Sequence, residues 1–86
     1  MRLVSCYLAS KQYEKAISEL VLLLKRDELN ETYHSLLMVA YAKSGQRQAA
    51  QRQYAQLTEV LEEELGVKPS LDTQGLYEEL NLGSLK

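Results

Sequence analysis

Histidine and cysteine are the side chains whose chemistry is easiest to recognise in a sequence, and this chain of 86 residues has one of each. His34 has no cysteine or second histidine at the spacing of a zinc site, where three or four such ligands meet. Cys6 lies in a predicted helix with no nearby base to activate its thiol. We therefore predict no metal site, a His34 ring packed in the core, and a buried, inert Cys6 thiol.

Paired carboxylates can act as general acid and base where their environments separate the two pKa values. Glu59 and Glu63 lie four residues apart on one face of a predicted helix, but no loop near them could form a pocket. The sequence also has no glycine-rich phosphate-binding loop. We predict no enzymatic activity and no cofactor.

The six tyrosines could be mistaken for a set that stacks on nucleic-acid bases. Five of them, however, fall on apolar positions of predicted helices, and for these we predict core packing. They are Tyr7, Tyr13, Tyr41, Tyr54 and Tyr77. Tyr33 is the one that we most expect to be exposed.

Three consecutive glutamates, Glu62 to Glu64, end a predicted helix where the helix dipole disfavours negative charge. Arg47 and Arg52 lie near the start of the same helix, also against the dipole. We expect the glutamates to remain solvated. The reversed charge order is compatible with alignment along a neighbouring chain or domain, and equally with chance.

Composition limits the kind of protein this can be. The net charge of −2 argues against a free-standing nucleic-acid binder, and a single cysteine excludes an internal disulfide. The longest apolar run, from Leu20 to Leu24, is far shorter than the roughly 20 residues of a membrane span. Abundant Ala, Leu, Glu, Gln and Lys favour helices. We predict one small, all-α, cytoplasmic domain.

An internal repeat appears when the sequence is compared with itself at a lag of 34 residues. Tyrosine falls on tyrosine and alanine on alanine at positions with helical spacing. The matching pairs are Leu3 and Leu37, Tyr7 and Tyr41, Ser10 and Ser44, Gln12 and Gln46, Ala16 and Ala50, and Leu23 and Leu57. The alanines are small where two helices of a hairpin must approach closely. We predict two helical hairpins.

The apolar pattern predicts five helices, over about residues 2–10, 12–26, 31–44, 46–65 and 71–80. Asn30 and Ser70 are the expected N-caps, and Gly45 and Gly66 the expected C-terminal stops. The predicted buried positions in the last four helices include Ala16, Ile17, Leu20, Val21, Leu23, Leu24, Leu37, Met38, Ala50, Tyr54, Leu57, Val60, Leu61, Leu65, Leu71, Leu76, Tyr77 and Leu80. Leu65, Val67 and Pro69 are expected to anchor the last helix, whereas Leu22 and Leu29 fall off the buried stripe.

The 34-residue period and its residue pattern resemble the tetratricopeptide motif, with two departures. Lys11 occupies the turn position that Gly45 fills in the second hairpin, and Glu28 and Glu62 occupy the usual places of a closing proline. The resemblance implies two tetratricopeptide-like antiparallel hairpins followed by a C-terminal capping helix.

Four segments together resemble the bacterial transcriptional activator domain, the helical module that follows a winged-helix DNA-binding domain in regulators of the antibiotic-pathway type. They are HSLLM at His34–Met38, YAKSG at Tyr41–Gly45, EELGVKPS at Glu63–Ser70 and LYEEL at Leu76–Leu80. The chain shows no winged-helix segment with a basic recognition helix. We therefore expect residues 1–86 to be a fragment of a regulator that lacks the module's N-terminal helices and DNA-binding domain, or a module that acts alone; either way, this segment contacts no DNA.

The resemblance implies that the first helix of each hairpin lines a concave groove. The groove residues would be Ser5, Leu8, Ala9, Ser35, Val39, Ala42 and Lys43. Another helix of the same protein or a foreign ligand could occupy this surface. Because the N-terminal hairpin lacks a capping unit, we also predict that it self-associates as a two-fold homodimer.

The expected function is a protein–protein interaction and oligomerisation module of a bacterial transcriptional regulator. Its partners would be its own DNA-binding domain, a second copy, or the transcription machinery, with no membrane partner. A stand-alone adaptor that binds a peptide or protein client is the alternative. A sensor of a small effector is disfavoured because no polar pocket is visible in the sequence.

Overall fold

A computed structural model describes residues 2–80, which form five α-helices and no strand. The helices are α1 (Arg2–Ala9), α2 (Tyr13–Arg26), α3 (Glu31–Lys43), α4 (Arg47–Leu65) and α5 (Leu71–Glu79). The predicted boundaries agree with these to within one or two residues. The all-α prediction is confirmed.

The helices pair as two hairpins, α1 with α2 and α3 with α4, whose turns have the same geometry. Lys11 has a left-handed φ of 62° and Gly45 one of 82°. After each of these residues a glutamine N–H donates back to a tyrosine carbonyl, at 2.7 Å from Gln12 to Tyr7 and at 2.8 Å from Gln46 to Tyr41. The repeat seen in the sequence is therefore also a repeat of backbone conformation, and Lys11 adopts a φ that glycine reaches without a steric cost.

Helix ends follow local chemistry. The Asn30 side chain accepts a hydrogen bond from the Tyr33 N–H, and Ser70 accepts one from the Thr73 N–H, so both predicted N-caps are confirmed. Helix α4 ends at Leu65, and the residue that follows, Gly66, caps it with a left-handed φ of 66°.

The core lies between the helices of each hairpin and across the α2–α3 contact. Ala16 and Ala50 are fully buried, as expected where two helices approach closely. Two clusters share Tyr41 at their boundary. The first is built on Val4, Ala16, Leu20, Leu24 and Leu37, and the second on Met38 and Ala50 with Ala42, Tyr54, Leu76, Tyr77 and Leu80 packed around them.

Helix α5 packs on α3 and stacks one tyrosine on α4. The rings of Tyr54 and Tyr77 lie 4.0 Å apart at an interplanar angle of 19°. The pKa of Tyr54 is raised, first by partial burial and then by electrostatic repulsion from Tyr77 and nearby carboxylates. Tyr33, expected to be the exposed one, is half-buried against the first core cluster, and the other five tyrosines are half-buried as well.

Four predicted core or anchor residues are exposed instead: Val21, Leu65, Val67 and Leu71. Val21 borders an open cleft between α2 and α4. The other three lie at the α4–α5 junction, where α5 turns towards α3 and leaves the end of α4 uncovered. Pro69 is the one predicted anchor that is buried.

Candidate functional site

His34 is fully buried in the first turn of α3, packed in the core as predicted, and both of its ring nitrogens are hydrogen-bonded. Nε2 lies 2.8 Å from the carbonyl oxygen of Glu28, and Nδ1 lies 2.6 Å from the amide nitrogen of Gln53. A carbonyl can only accept and an amide NH₂ can only donate. The proton of His34 therefore lies on Nε2, and the ring links the α2–α3 loop to α4.

A cleft of about 350 Å³ lies above this histidine, between α2 and α4. His34, Gln53, Leu24 and Leu37 form its floor, and no polar pocket had been predicted here. In the described part of the chain, every buried side-chain nitrogen and oxygen already has a hydrogen-bond partner. The two ring nitrogens of His34 on this floor are accordingly occupied by contacts within the chain.

One face of α1 is open to solvent. Leu3 is 48% exposed, and Cys6 is also exposed, so the prediction of a buried thiol is wrong. At the equivalent positions of the second hairpin, Leu37 is 1% exposed and Ala40 is fully buried. Helix α3 packs against α2, the helix that precedes it in the stack. Within the described residues, no helix precedes α1 to cover the corresponding side of it. We call this surface, formed by Leu3, Cys6 and Ser10, the α1 edge.

The seven predicted groove residues do not share one environment. Ser5 and Ala9 on α1 and Lys43 on α3 are exposed, and Leu8 is half-buried against the first core cluster. The other three, Ser35, Val39 and Ala42, are half-buried, and two of these have contacts with α5 or its cluster. Ala42 packs in the second core cluster with Leu76 and Tyr77, and Ser35 Oγ lies 3.2 Å from Thr73 Oγ1.

A hydrogen-bond network centred on Glu31 positions α5. The Glu31 carboxylate accepts the Ser70 N–H at 2.7 Å and the hydroxyl of Thr73. Since Thr73 donates its only hydroxyl proton to Glu31, it accepts from Ser35. Partial burial raises the pKa of Glu31, but the hydrogen bonds from Thr73 and Ser70 outweigh it, so the pKa lies below its usual value.

Next to this network is an open groove of about 530 Å³, here called the α5 groove. Its lining residues are Ser35 from α3, and Leu71, Asp72, Thr73, Gly75, Leu76 and Glu79 from α5. Sequence reasoning had found only Ser35 among them. The glycine in the interior of α5 was the signal that could have revealed the rest.

The C-terminal part of the chain is strongly acidic. Residues 57–80 contain seven acidic residues and one lysine, Lys68, and Glu62, Glu63 and Glu64 are all exposed, as predicted. Among residues 2–80, no three His, Cys, Asp or Glu side chains come together in a way that could hold a metal ion.

The profile of the bacterial transcriptional activator domain matches residues 2–81. The chain belongs to this family. A bacterial transcriptional activator domain is a helical, tetratricopeptide-like regulatory unit rather than a catalytic one, which agrees with the architecture of α1 to α5.

The comparison with curated proteins and the comparison with solved structures returned no match. Within the part of this activator domain that the structure describes, no helix combines the length and the apolar character that crossing a membrane requires.

Proposed function

We propose that this activator domain is the protein-interaction and oligomerisation module of a bacterial transcriptional regulator, without catalytic activity and without DNA contacts of its own. The context of transcriptional regulation follows from the family. The observation that carries the interaction role is the α1 edge, where Leu3 and Cys6 are exposed at positions whose equivalents, Leu37 and Ala40, are buried.

The two ends of the helical stack differ in polarity. On α2, the buried Leu24 and the half-buried Ile17 pack in the cluster that contains Leu37 of α3. At a lag of 34 residues, α4 carries Thr58 and Gln51 in their places. Stacked helical units bury a continuous core and need polar caps at their ends, and the outer face of α4 is more polar at these positions than the α1 edge with its exposed Leu3.

This asymmetry favours a two-fold homodimer over a head-to-tail chain. A head-to-tail contact would place the α1 edge of one copy on the polar outer face of α4 of the next. In a two-fold contact, each α1 edge packs on the same surface of the partner. The regulator's own DNA-binding domain or the transcription machinery would then contact the remaining surfaces, in the cytoplasm.

Sedimentation equilibrium tests the dimer. We expect the dissociation constant of the Leu3→Asp variant to rise about tenfold or more, since a charge would be buried unpaired at the α1 edge. Leu22→Asp is the matched control: Leu22 is 57% exposed on α2, outside the α1 edge, and its dissociation constant should not change. Alkylation of Cys6 should also slow as protein concentration rises. A wild-type chain that remains monomeric at high micromolar concentration would contradict the proposal.

A stand-alone adaptor is the second candidate, and the α5 groove is the observation that favours it. The two candidates differ in what the complete polypeptide contains. A basic winged-helix region encoded together with this segment supports the regulator, whereas a polypeptide without one that captures a client through the α5 groove supports the adaptor.

A further inference from the structure

Gly75 is an unexpected residue at its position in α5. Glycine is the poorest helix former after proline, and Gly75 lies in the interior of a nine-residue helix. Its backbone is not left-handed, and a Cβ atom built on it would meet no heavy atom within 4 Å. No contact within the described chain therefore requires glycine here, and what the missing side chain keeps open is the α5 groove.

Two carboxylates flank Gly75 on the same face of α5. Asp72, Gly75, Leu76 and Glu79 have the spacing i, i+3, i+4 and i+7, which places them on one side of a helix. Seven residues of helix separate the two carboxylates by about 10 Å. Both are exposed, and the sequence of α5 contains no basic residue to neutralise them.

The groove also presents apolar surface. Leu71 is 83% exposed, and Leu76 is half-buried beside it in the lining. The scaffold that holds these side chains is fixed, because Glu31 binds Ser70 and Thr73 and the Gln74 side chain donates to the Pro69 carbonyl at 2.8 Å. An apolar groove with an acidic rim is complementary to a partner that has the opposite charge and its own apolar stripe.

We propose that the α5 groove binds a cationic amphipathic helix of a partner protein. One apolar side chain of the partner packs on Leu71 and Leu76, and two Lys or Arg residues seven positions apart meet Asp72 and Glu79, since the same rise per residue spaces both pairs by about 10 Å. Gly75 lets the partner helix approach closely. Nucleic acid is not a candidate because its phosphates would face carboxylates.

Fluorescence anisotropy with designed peptides tests this inference. The probe is a labelled helical peptide of about 15 residues with Lys at i and i+7 and Leu at i+3 and i+4 in an alanine background; a second peptide has Glu in place of Lys. We expect the Lys peptide to bind with an affinity that falls as salt rises, and the Glu peptide not to bind. Gly75→Leu should weaken binding about tenfold or more relative to Gly75→Ala. Both variants replace glycine with a good helix former, so only the filling of the groove differs.

The double variant Asp72→Asn, Glu79→Gln tests the charges separately, and we expect it to lose most of the salt dependence. The same affinity for Gly75→Leu and Gly75→Ala, or for the Lys and Glu peptides, would overturn the inference. Circular dichroism verifies that each variant is folded. Sedimentation of the same variants measures self-association at the α1 edge. If the peptides do not bind, the oligomerisation proposal is unaffected, and if the chain is monomeric, the peptide-binding inference is unaffected.

Discussion

His34 shows how one polar residue is accommodated in a small helical core. Its two ring nitrogens bridge a loop carbonyl and the amide of Gln53, so the ring joins three parts of the chain. A buried polar group costs free energy when its partner is removed, by about 1–3 kcal/mol. The pair therefore specifies how α4 sits against α3 in addition to filling space.

Gln53→Ala tests this role of His34. We expect the substitution to lower the free energy of unfolding by about 1–3 kcal/mol, because Nδ1 of His34 would be left without a donor. Gln56→Ala is the matched control: Gln56 lies on the same helix at the exposed rim of the same cleft, and its loss should change stability by less than about 0.5 kcal/mol. Urea unfolding measures both. Equal effects of the two substitutions would show that the hydrogen bond to His34 adds nothing.

At the scale of elements, α5 is held by hydrogen bonds between residues that are distant in the sequence. Glu31 and Thr73 are 42 residues apart, and together with Ser70 they join the first turns of α3 and α5. Hydrogen bonds to an ionised carboxylate are stronger than those between neutral groups. The position of α5 therefore depends on the charge state of Glu31.

Glu31→Gln tests the dependence of α5 on that charge. Near neutral pH we expect it to lower the free energy of unfolding by about 1 kcal/mol, a value that allows for the partial exposure of the group. Because the folded state has the lower pKa, Glu31 contributes stability above its ordinary pKa, near 4.5, and this contribution is lost as pH falls through the folded value. The difference between the two proteins should shrink below about pH 4.5. Glu28→Gln, at an exposed carboxylate of the preceding loop, is the control: near neutral pH it should change the free energy of unfolding by less than about 0.5 kcal/mol, with unfolding followed by circular dichroism.

How far the sequence predicts these elements depends on the range of the interactions involved. Helices, caps and the Gly66 stop are local, so periodicity and capping rules were sufficient. Periodicity also shows which face of a helix is apolar, but it does not show which neighbour covers that face. For this reason Cys6 and Leu71 were predicted to be buried and are exposed.

The α5 groove was missed for a related reason. Thr73 is buried and donates a hydrogen bond to Glu31. No local sequence pattern predicts a contact between residues so far apart in the chain. Gly75 was a visible clue, since an interior helix glycine breaks a local rule, and such departures tend to mark functional positions.

At the scale of the whole molecule, the described residues combine an exposed α1 edge that contains Leu3 and Cys6 with a strongly acidic segment, residues 57–80. Residues 57–80 sum to a charge of −6, from seven acids and one lysine, whereas the entire chain carries only −2. The two proposed partners would use separate surfaces: a second copy the α1 edge, and a cationic helix the α5 groove. The two uses differ in their response to salt, because the first buries apolar area and the second pairs charges.

Hydrogen exchange followed by mass spectrometry tests this division in the intact chain. Helix α1 packs mainly on α2, whereas α3 packs on both α2 and α4, so at low concentration we expect the amides of α1 to exchange before those of α3. If the α1 edges pair, raising the protein concentration should slow exchange in α1 and leave α5 unchanged. Leu3→Asp should abolish the concentration dependence, and Leu22→Asp should preserve it. Slowing that appears in α5 instead of α1 would place self-association at the acidic end and contradict the two-fold pairing of α1 edges.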